Sequence, residues 1–191
     1  MLTLHPKQSR IFLTGFMGSG KSTVGYPLAM ALGLRFLDLD IEIEKKMQKS
    51  IPQIFEEEGA AFFREIESEI LNDLINQPFS VIALGGGTIT EMENLLRVKK
   101  YGILICLQAE PEIIWDRISE TDRRILLTQE NIPGRQPLTK SQIEDRIERL
   151  LRLRKPYYDE SDIFINTTGK SIPQIVDEII NQLDIERLQA L

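Results

Sequence analysis

Five short apolar runs punctuate the chain, at 10–14, 35–39, 80–84, 102–107 and 162–166. Their length and their β-branched or aromatic side chains suit strands rather than helices. Between them the apolar positions recur with helical spacing, over 22–32, 41–49, 50–77 and 140–157, with a last helix over 172–183. In 140–157, Ile143, Ile147, Leu150 and Leu151 fall on one stripe, the pattern of a helix that buries a single face. The 50–77 stretch should break at Glu58-Gly59, and Ser50 followed by Gln53 resembles a capping box at its start. Strands alternating with helices predict βαβ units and an α/β fold, a parallel sheet covered on both faces. Ligands of such sheets sit beyond the C-terminal ends of the strands, so the residues that follow each run matter most.

The first run leads into Gly15-Phe16-Met17-Gly18-Ser19-Gly20-Lys21-Ser22-Thr23. This fits the phosphate-binding loop G-x-x-x-x-G-K-[ST], set between strand and helix as the motif requires. Gly15, Gly18 and Gly20 allow a tight turn and close approach to a phosphate, and the helix N-terminus behind them favours an anion. Gly18, Ser19, Gly20, Lys21, Ser22 and Thr23 are therefore nucleotide-binding candidates. Lys21 has the reach for the β- and γ-phosphates, and the Ser22 hydroxyl suits Mg²⁺. The loop implies a nucleoside triphosphate without saying where its phosphate goes.

The second run delivers Asp38-Leu39-Asp40. Carboxylates at i and i+2 of an extended segment point the same way. One can hold Mg²⁺ through water and the other can take a proton from a substrate hydroxyl; the competing reading is a helix N-cap beside a solvated acid. Arg64 and Glu67 lie one helical turn apart and can pair, which by itself describes an ordinary surface ion pair. The third run flows into Gly85-Gly86-Gly87, which permits close backbone approach to a ligand. No acidic residue ends that strand, so the metal role falls to Asp38.

After the fourth run comes an amphipathic helix with Ile113, Ile114 and Ile118, on which Trp115 reads as packing. A polar Pro- and Gly-containing connection follows over 120–138, of a length that often marks a lid. Arg123, Arg124 and Arg135 are its candidate phosphate contacts. The fifth run ends in Asn166-Thr167-Thr168-Gly169-Lys170, a loop suited to pack against an adenine ring with Lys170 beside it.

The 191 residues make one domain, 1–191, with 42% hydrophobic residues for a core. A net charge of −6 argues against nucleic acid as a partner. The single cysteine, Cys106, sits in an apolar run and reads as a small buried hydrophobe. The one histidine, His5, precedes Pro6 near the N-terminus and reads as solvated. No apolar run approaches the roughly 18 residues of a membrane helix, and the N-terminus lacks a signal-peptide core. A cytoplasmic protein without membrane or nucleic-acid partners, working as a monomer, is expected.

The phosphate loop defines only a superfamily. Asp38-x-Asp40, Phe63-Arg64-x-x-Glu67, Gly85-Gly86-Gly87 and Arg154-x-Pro156-x-Tyr158, following it in this order, resemble the shikimate kinases over about 10–183. The resemblance implies a P-loop NTPase fold of the adenylate-kinase kind, a five-stranded parallel sheet of order 2-3-1-4-5 flanked by helices. It adds a shikimate-binding segment at about 40–77 and a mobile lid at about 120–138. The implied reaction moves the γ-phosphate of ATP to the 3-hydroxyl of shikimate with Mg²⁺, giving ADP, in aromatic amino-acid biosynthesis. By motif, Lys21, Asp40 and Arg135 would be catalytic, and Asp40, Arg64, Gly86, Gly87 and Arg154 would bind shikimate. Ser22 and Asp38 would serve the metal, and Arg135 and Lys170 would join the phosphate loop in binding ATP. Guanidinium forks suit a planar carboxylate better than lysine does.

The lid departs from the family's Arg-Pro-Leu-Leu by reading Arg135-Gln136-Pro137-Leu138-Thr139, which leaves Arg124 as the alternative lid arginine. Two other readings compete. A gluconate kinase would share the phosphate loop but not the triple glycine with two arginines. A non-catalytic nucleotide binder would not be expected to retain Lys21, Ser22, Asp38, Asp40, Arg64 and Arg154.

Overall fold

A computed structural model describes residues 9–118 and 139–189, apart from the side chains of residues 140 and 184–189. His5 and the 120–138 segment with Arg123, Arg124 and Arg135 lie outside the described residues. The five runs become β1 (Arg10–Thr14), β2 (Arg35–Asp38), β3 (Ser80–Ala83), β4 (Ile103–Gln108) and β5 (Ile163–Asn166). All adjacent pairs are parallel, in the expected order β2-β3-β1-β4-β5. The described helices are α1 (Lys21–Leu32), α2 (Leu39–Met47), α3 (Ile51–Glu57), α4 (Gly59–Ile75), α5 (Met92–Tyr101), α6 (Pro111–Arg117), α7 (Lys140–Tyr158) and α8 (Ile172–Gln189). None of them is long and apolar enough to cross a membrane.

The twofold period of the strands divides the core between the two faces of the sheet. Ile11 and Leu13 of β1 pack with Val24 and Leu28 of α1 and with Ile175 and Ile179 of α8. Phe12, between them in sequence, faces the opposite way into a cluster with Leu71 of α4, Val98 of α5 and Leu104. A third cluster joins Phe16 of the phosphate loop to Ile114, Ile118, Ile143 and Ile147, with Trp115, Leu150 and Leu151 packed against it. That cluster seats α6 and α7 on the loop and accounts for the apolar stripe of α7.

Several boundaries follow local chemistry. Gly33, in the left-handed region at φ 68°, ends α1. Ser50 and Gln53 form the expected capping box at α3, and the chain breaks at Glu58 before α4 starts at Gly59, whose φ is 87°. One expectation fails at the second strand, which stops at Asp38, so that Asp40 lies in the first turn of α2 instead of in an extended segment. The cause is Asp38 itself. Its Oδ1 accepts the N–H groups of Asp40 at 3.1 Å and Ile41 at 3.3 Å, satisfying backbone donors that a helix start leaves without partners. The tight strand-to-helix corner, not the alternation of an extended chain, brings the two carboxylates to one cavity.

Candidate active site

The order of the strands places β1 between β3 and β4, where the winding of the sheet changes direction and a crevice opens. A cavity of about 730 Å³ occupies it. Residues 17–23 of the phosphate loop, Asp38, Asp40, Arg64, Glu67, Gly85, Gly86, Gly87, Arg154, Thr167 and Lys170 all line this cavity. Residues scattered along most of the chain therefore share one site.

The phosphate loop is built on glycines that no other residue could replace cheaply. Gly15 has φ 132°, and a Cβ there would run into the Leu107 carbonyl; Gly20, the residue before α1, has φ 100°. Ser19 is fully buried, with its N–H donated to the Phe16 carbonyl at 3.1 Å. Lys21 donates its ammonium to the carbonyls of Gly15 at 2.9 Å and Phe16 at 3.1 Å, which leaves a third N–H on that group. Burial lowers the Lys21 pKa, an effect that the Asp40 and Asp38 carboxylates oppose.

Ser22 donates its hydroxyl to Oδ2 of Asp38 at 2.5 Å. Asp38 is thus both the helix cap of α2 and a neighbour of the phosphate loop. A hydroxyl and a carboxylate oxygen meeting beside the loop form a hard oxygen donor pair, and this fits Mg²⁺. Asp40 is half-buried in the cavity wall and its pKa rises to about 7. Desolvation is the main cause; Asp38 and Glu67 add to it and Lys21 opposes it. A carboxylate poised near neutrality is suited to exchange a proton with a hydroxyl.

The far end of the cavity is cationic. Arg64 pairs with Glu67 on α4, and Glu67 is wholly buried. Oε1 of Glu67 also accepts the Thr88 hydroxyl at 2.6 Å. This is an interior fixture, unlike the surface pair that the spacing alone describes. Arg154 comes from α7; it is 8% exposed, donates Nη1 to the Gly86 carbonyl at 3.1 Å and lies over the Phe16 ring at 5.3 Å. The glycines between the arginines are small for a reason. A Cβ on Gly87 would sit 2.6 Å from Nη2 of Arg64, and one on Gly86 would sit 3.3 Å from the Met17 amide nitrogen.

Lys170 lines the opposite rim and pairs with Glu178 at 2.5 Å. Near it lies Arg117, which sequence reasoning missed. Its guanidinium donates to the hydroxyl and carbonyl of Thr167 at 3.0 and 3.2 Å. No motif marks Arg117, because its partner belongs to a different strand end. Ile51, Pro52, Phe55 and Phe63, from α3 and α4, make an apolar wall that helical periodicity could not tell from ordinary core. Cys106 is buried as expected, and burial pushes its thiol up to about 12. Its role is packing.

A phosphate loop, paired carboxylates and a guanidinium-lined acceptor pocket on this sheet define a P-loop kinase of small molecules. The family model described as Shikimate kinase matches residues 17–184. A shikimate kinase of Chlorobaculum parvum is 40% identical over 177 residues, 92% of each chain. One from Thermodesulfovibrio yellowstonii is 37% identical over 174 residues, 91% of this chain and 94% of that one. Among solved structures, the shikimate kinase of Acinetobacter baumannii in complex with shikimate aligns with a TM-score of 0.84 and 34% identity, over 96% of this chain and 97% of that one. The chain belongs to the shikimate kinase family and is an ATP-dependent kinase. A gluconokinase from Sinorhizobium meliloti 1021, at 15% identity and a TM-score of 0.53 over 97% of this chain and 98% of that one, shares the fold alone.

Proposed function

We propose that the chain transfers the γ-phosphate of ATP to the 3-hydroxyl of shikimate, with Ser22 and Asp38 serving Mg²⁺. One observation carries the division of labour. Guanidinium groups from two different helices lie against consecutive glycines, Arg154 on Gly86 and Arg64 on Gly87, in the same cavity as Asp40 and Lys21. Such a pair grips a planar carboxylate by its forks. It thereby fixes how far the ring hydroxyls stand from the phosphate loop.

Phosphoryl transfer depends on positioning and on charge stabilisation more than on covalent catalysis. The amide groups of Gly18, Gly20 and Thr23 cradle the phosphates, with Ser19 shaping the loop from within. Lys21 turns its remaining N–H to the oxygens that gain charge. Asp40 orients the attacking hydroxyl and accepts its proton, for which its raised pKa suits it. Mg²⁺, when bound, neutralises phosphate charge. Gly86 and Gly87 offer their N–H groups to shikimate, since the Gly86 carbonyl is already used by Arg154. Lys170 borders the nucleotide base. Arg135 is the proposed arginine ligand of the phosphates, with Arg124 in reserve. The acidic composition and the single cysteine suit a monomer in the cytoplasm.

A coupled ADP-release assay with ATP and Mg²⁺ tests this reading, comparing shikimate, gluconate and no acceptor. Release that requires shikimate is expected. Release with gluconate alone would replace the substrate, and nucleotide binding without release would remove the catalytic reading.

A further inference from the structure

We propose that Tyr158 is a positioning residue that sets the aim of Arg154 through a shared acceptor, the carbonyl of Gly86. This rests on the reading of Arg154 as a carboxylate ligand. Arg154 and Tyr158 stand four residues apart on α7, so both project from one face of the helix. The Tyr158 hydroxyl donates to the Gly86 carbonyl at 2.7 Å, and Nη1 of Arg154 donates to the same oxygen at 3.1 Å. A carbonyl oxygen has two lone pairs, and both are engaged.

The consequence is geometric. Arg154 reaches a substrate only with the edge of its guanidinium that Gly86 does not hold. The direction of that edge depends on where the Gly86 carbonyl points, and Gly86, lacking a side chain, cannot be fixed by packing of its own. Tyr158 supplies the constraint. It is 6% exposed, and its ring packs in the cluster beneath β1, β3 and β4 that also holds Phe12, Ile82 and Cys106. Burial pushes its phenol up to about 12, opposed by the charge of the Arg154 guanidinium and by that group's own hydrogen bond to the Tyr158 oxygen. The hydroxyl therefore remains a donor to Gly86 at any pH at which the enzyme works, while it also touches the arginine directly. Phe16, stacked under Arg154, limits the guanidinium from the other side. The arginine is thereby held between a ring and a tyrosine-anchored carbonyl, with little freedom to swing before the substrate arrives.

Tyr158→Phe removes only the hydroxyl. The expected result is a rise of roughly three- to tenfold in the KM and Kd for shikimate, the worth of one neutral hydrogen bond, with the KM for ATP unchanged. Combined with Arg154→Ala, Tyr158→Phe should lose most of its further effect on shikimate affinity, because there is no guanidinium left to aim and only the Gly87 N–H, on the same peptide as the Gly86 carbonyl, remains to be displaced. A melting temperature close to the parent's shows that the fold is intact; if Tyr158→Phe does not fold, Tyr158→Met takes its place in the same comparison. An unchanged shikimate KM in the single variant, or an undiminished effect in the Arg154→Ala background, would overturn the proposal. So would parallel losses for shikimate and ATP. Normal shikimate binding by Arg154→Ala alone would instead overturn the carboxylate reading on which it rests.

Discussion

The Thr88 hydroxyl lies 2.6 Å from Oε1 of Glu67, and Glu67 in turn holds Arg64. The chain that fixes the Arg64 guanidinium therefore runs from the 3₁₀ turn after the triple glycine, through a fully buried carboxylate, to the cavity. Thr88→Val keeps the shape and deletes the donor. It should destabilise the fold by about 1–3 kcal/mol, the cost of leaving a buried acceptor without its partner. Thr88→Ser should recover most of that loss. Urea denaturation of both variants checks this; equal stability of Thr88→Val and the parent would show that Glu67 does not depend on the bond.

Arg64→Ala and Arg154→Ala should each weaken shikimate binding by about 1.5–3 kcal/mol, the usual worth of a charged hydrogen bond. ATP affinity should stay nearly constant in both. Calorimetric titration with each ligand separates the two effects, and normal shikimate affinity in both variants would rule out the clamp.

Gly87→Ala should separate binding from folding. The added Cβ meets the tip of Arg64, 2.6 Å from Nη2. A long side chain can shift at its tip, so the melting temperature should fall less than in Gly102→Ala, by no more than the strain on the Arg64–Glu67 pair, while shikimate affinity falls. Gly102→Ala should do the reverse, because its Cβ meets the Arg10 carbonyl and the buried Phe12 ring, and a strand cannot step aside.

Asp40 makes stability depend on pH. Its pKa is 3.8 in the reference state and about 7 in the folded chain. Between those values the folded chain retains a proton that the unfolded chain has lost. The resulting stability is complete below about pH 4, falls as pH rises through the window and is gone above about pH 7. Asp40→Asn abolishes this dependence. Without Mg²⁺ or nucleotide, the variant should melt above the parent at pH 8 and close to it at pH 4, while losing turnover. A gap between the two melting temperatures that does not widen with pH would contradict the assignment.

Lys21→Ala should abolish transfer and leave shikimate binding measurable, since the phosphate loop and the arginines serve different ligands. Retained turnover in a single-turnover assay would remove Lys21 from the mechanism.

Local chemistry was legible along the chain. Short apolar, β-branched runs located the strands and 3.6-residue periods most of the helices, because burial leaves its mark within a few residues. Gly20, Gly33, Ser50 and Gly59 marked their corners for equally local reasons. The phosphate loop was readable because its motif lies in consecutive residues, and the family motifs carried the sheet order and named residues that line the same cavity. What the sequence could not display is which distant groups become partners. That Glu67 is an interior carboxylate, that Arg117 reaches Thr167, that Asp38 caps α2 while accepting from Ser22, and that Arg154 and Tyr158 share one carbonyl all depend on the crossovers that stack β3, β1 and β4 side by side. Spacing along a chain records which face a residue shows to the core; only the packed sheet decides what is waiting there.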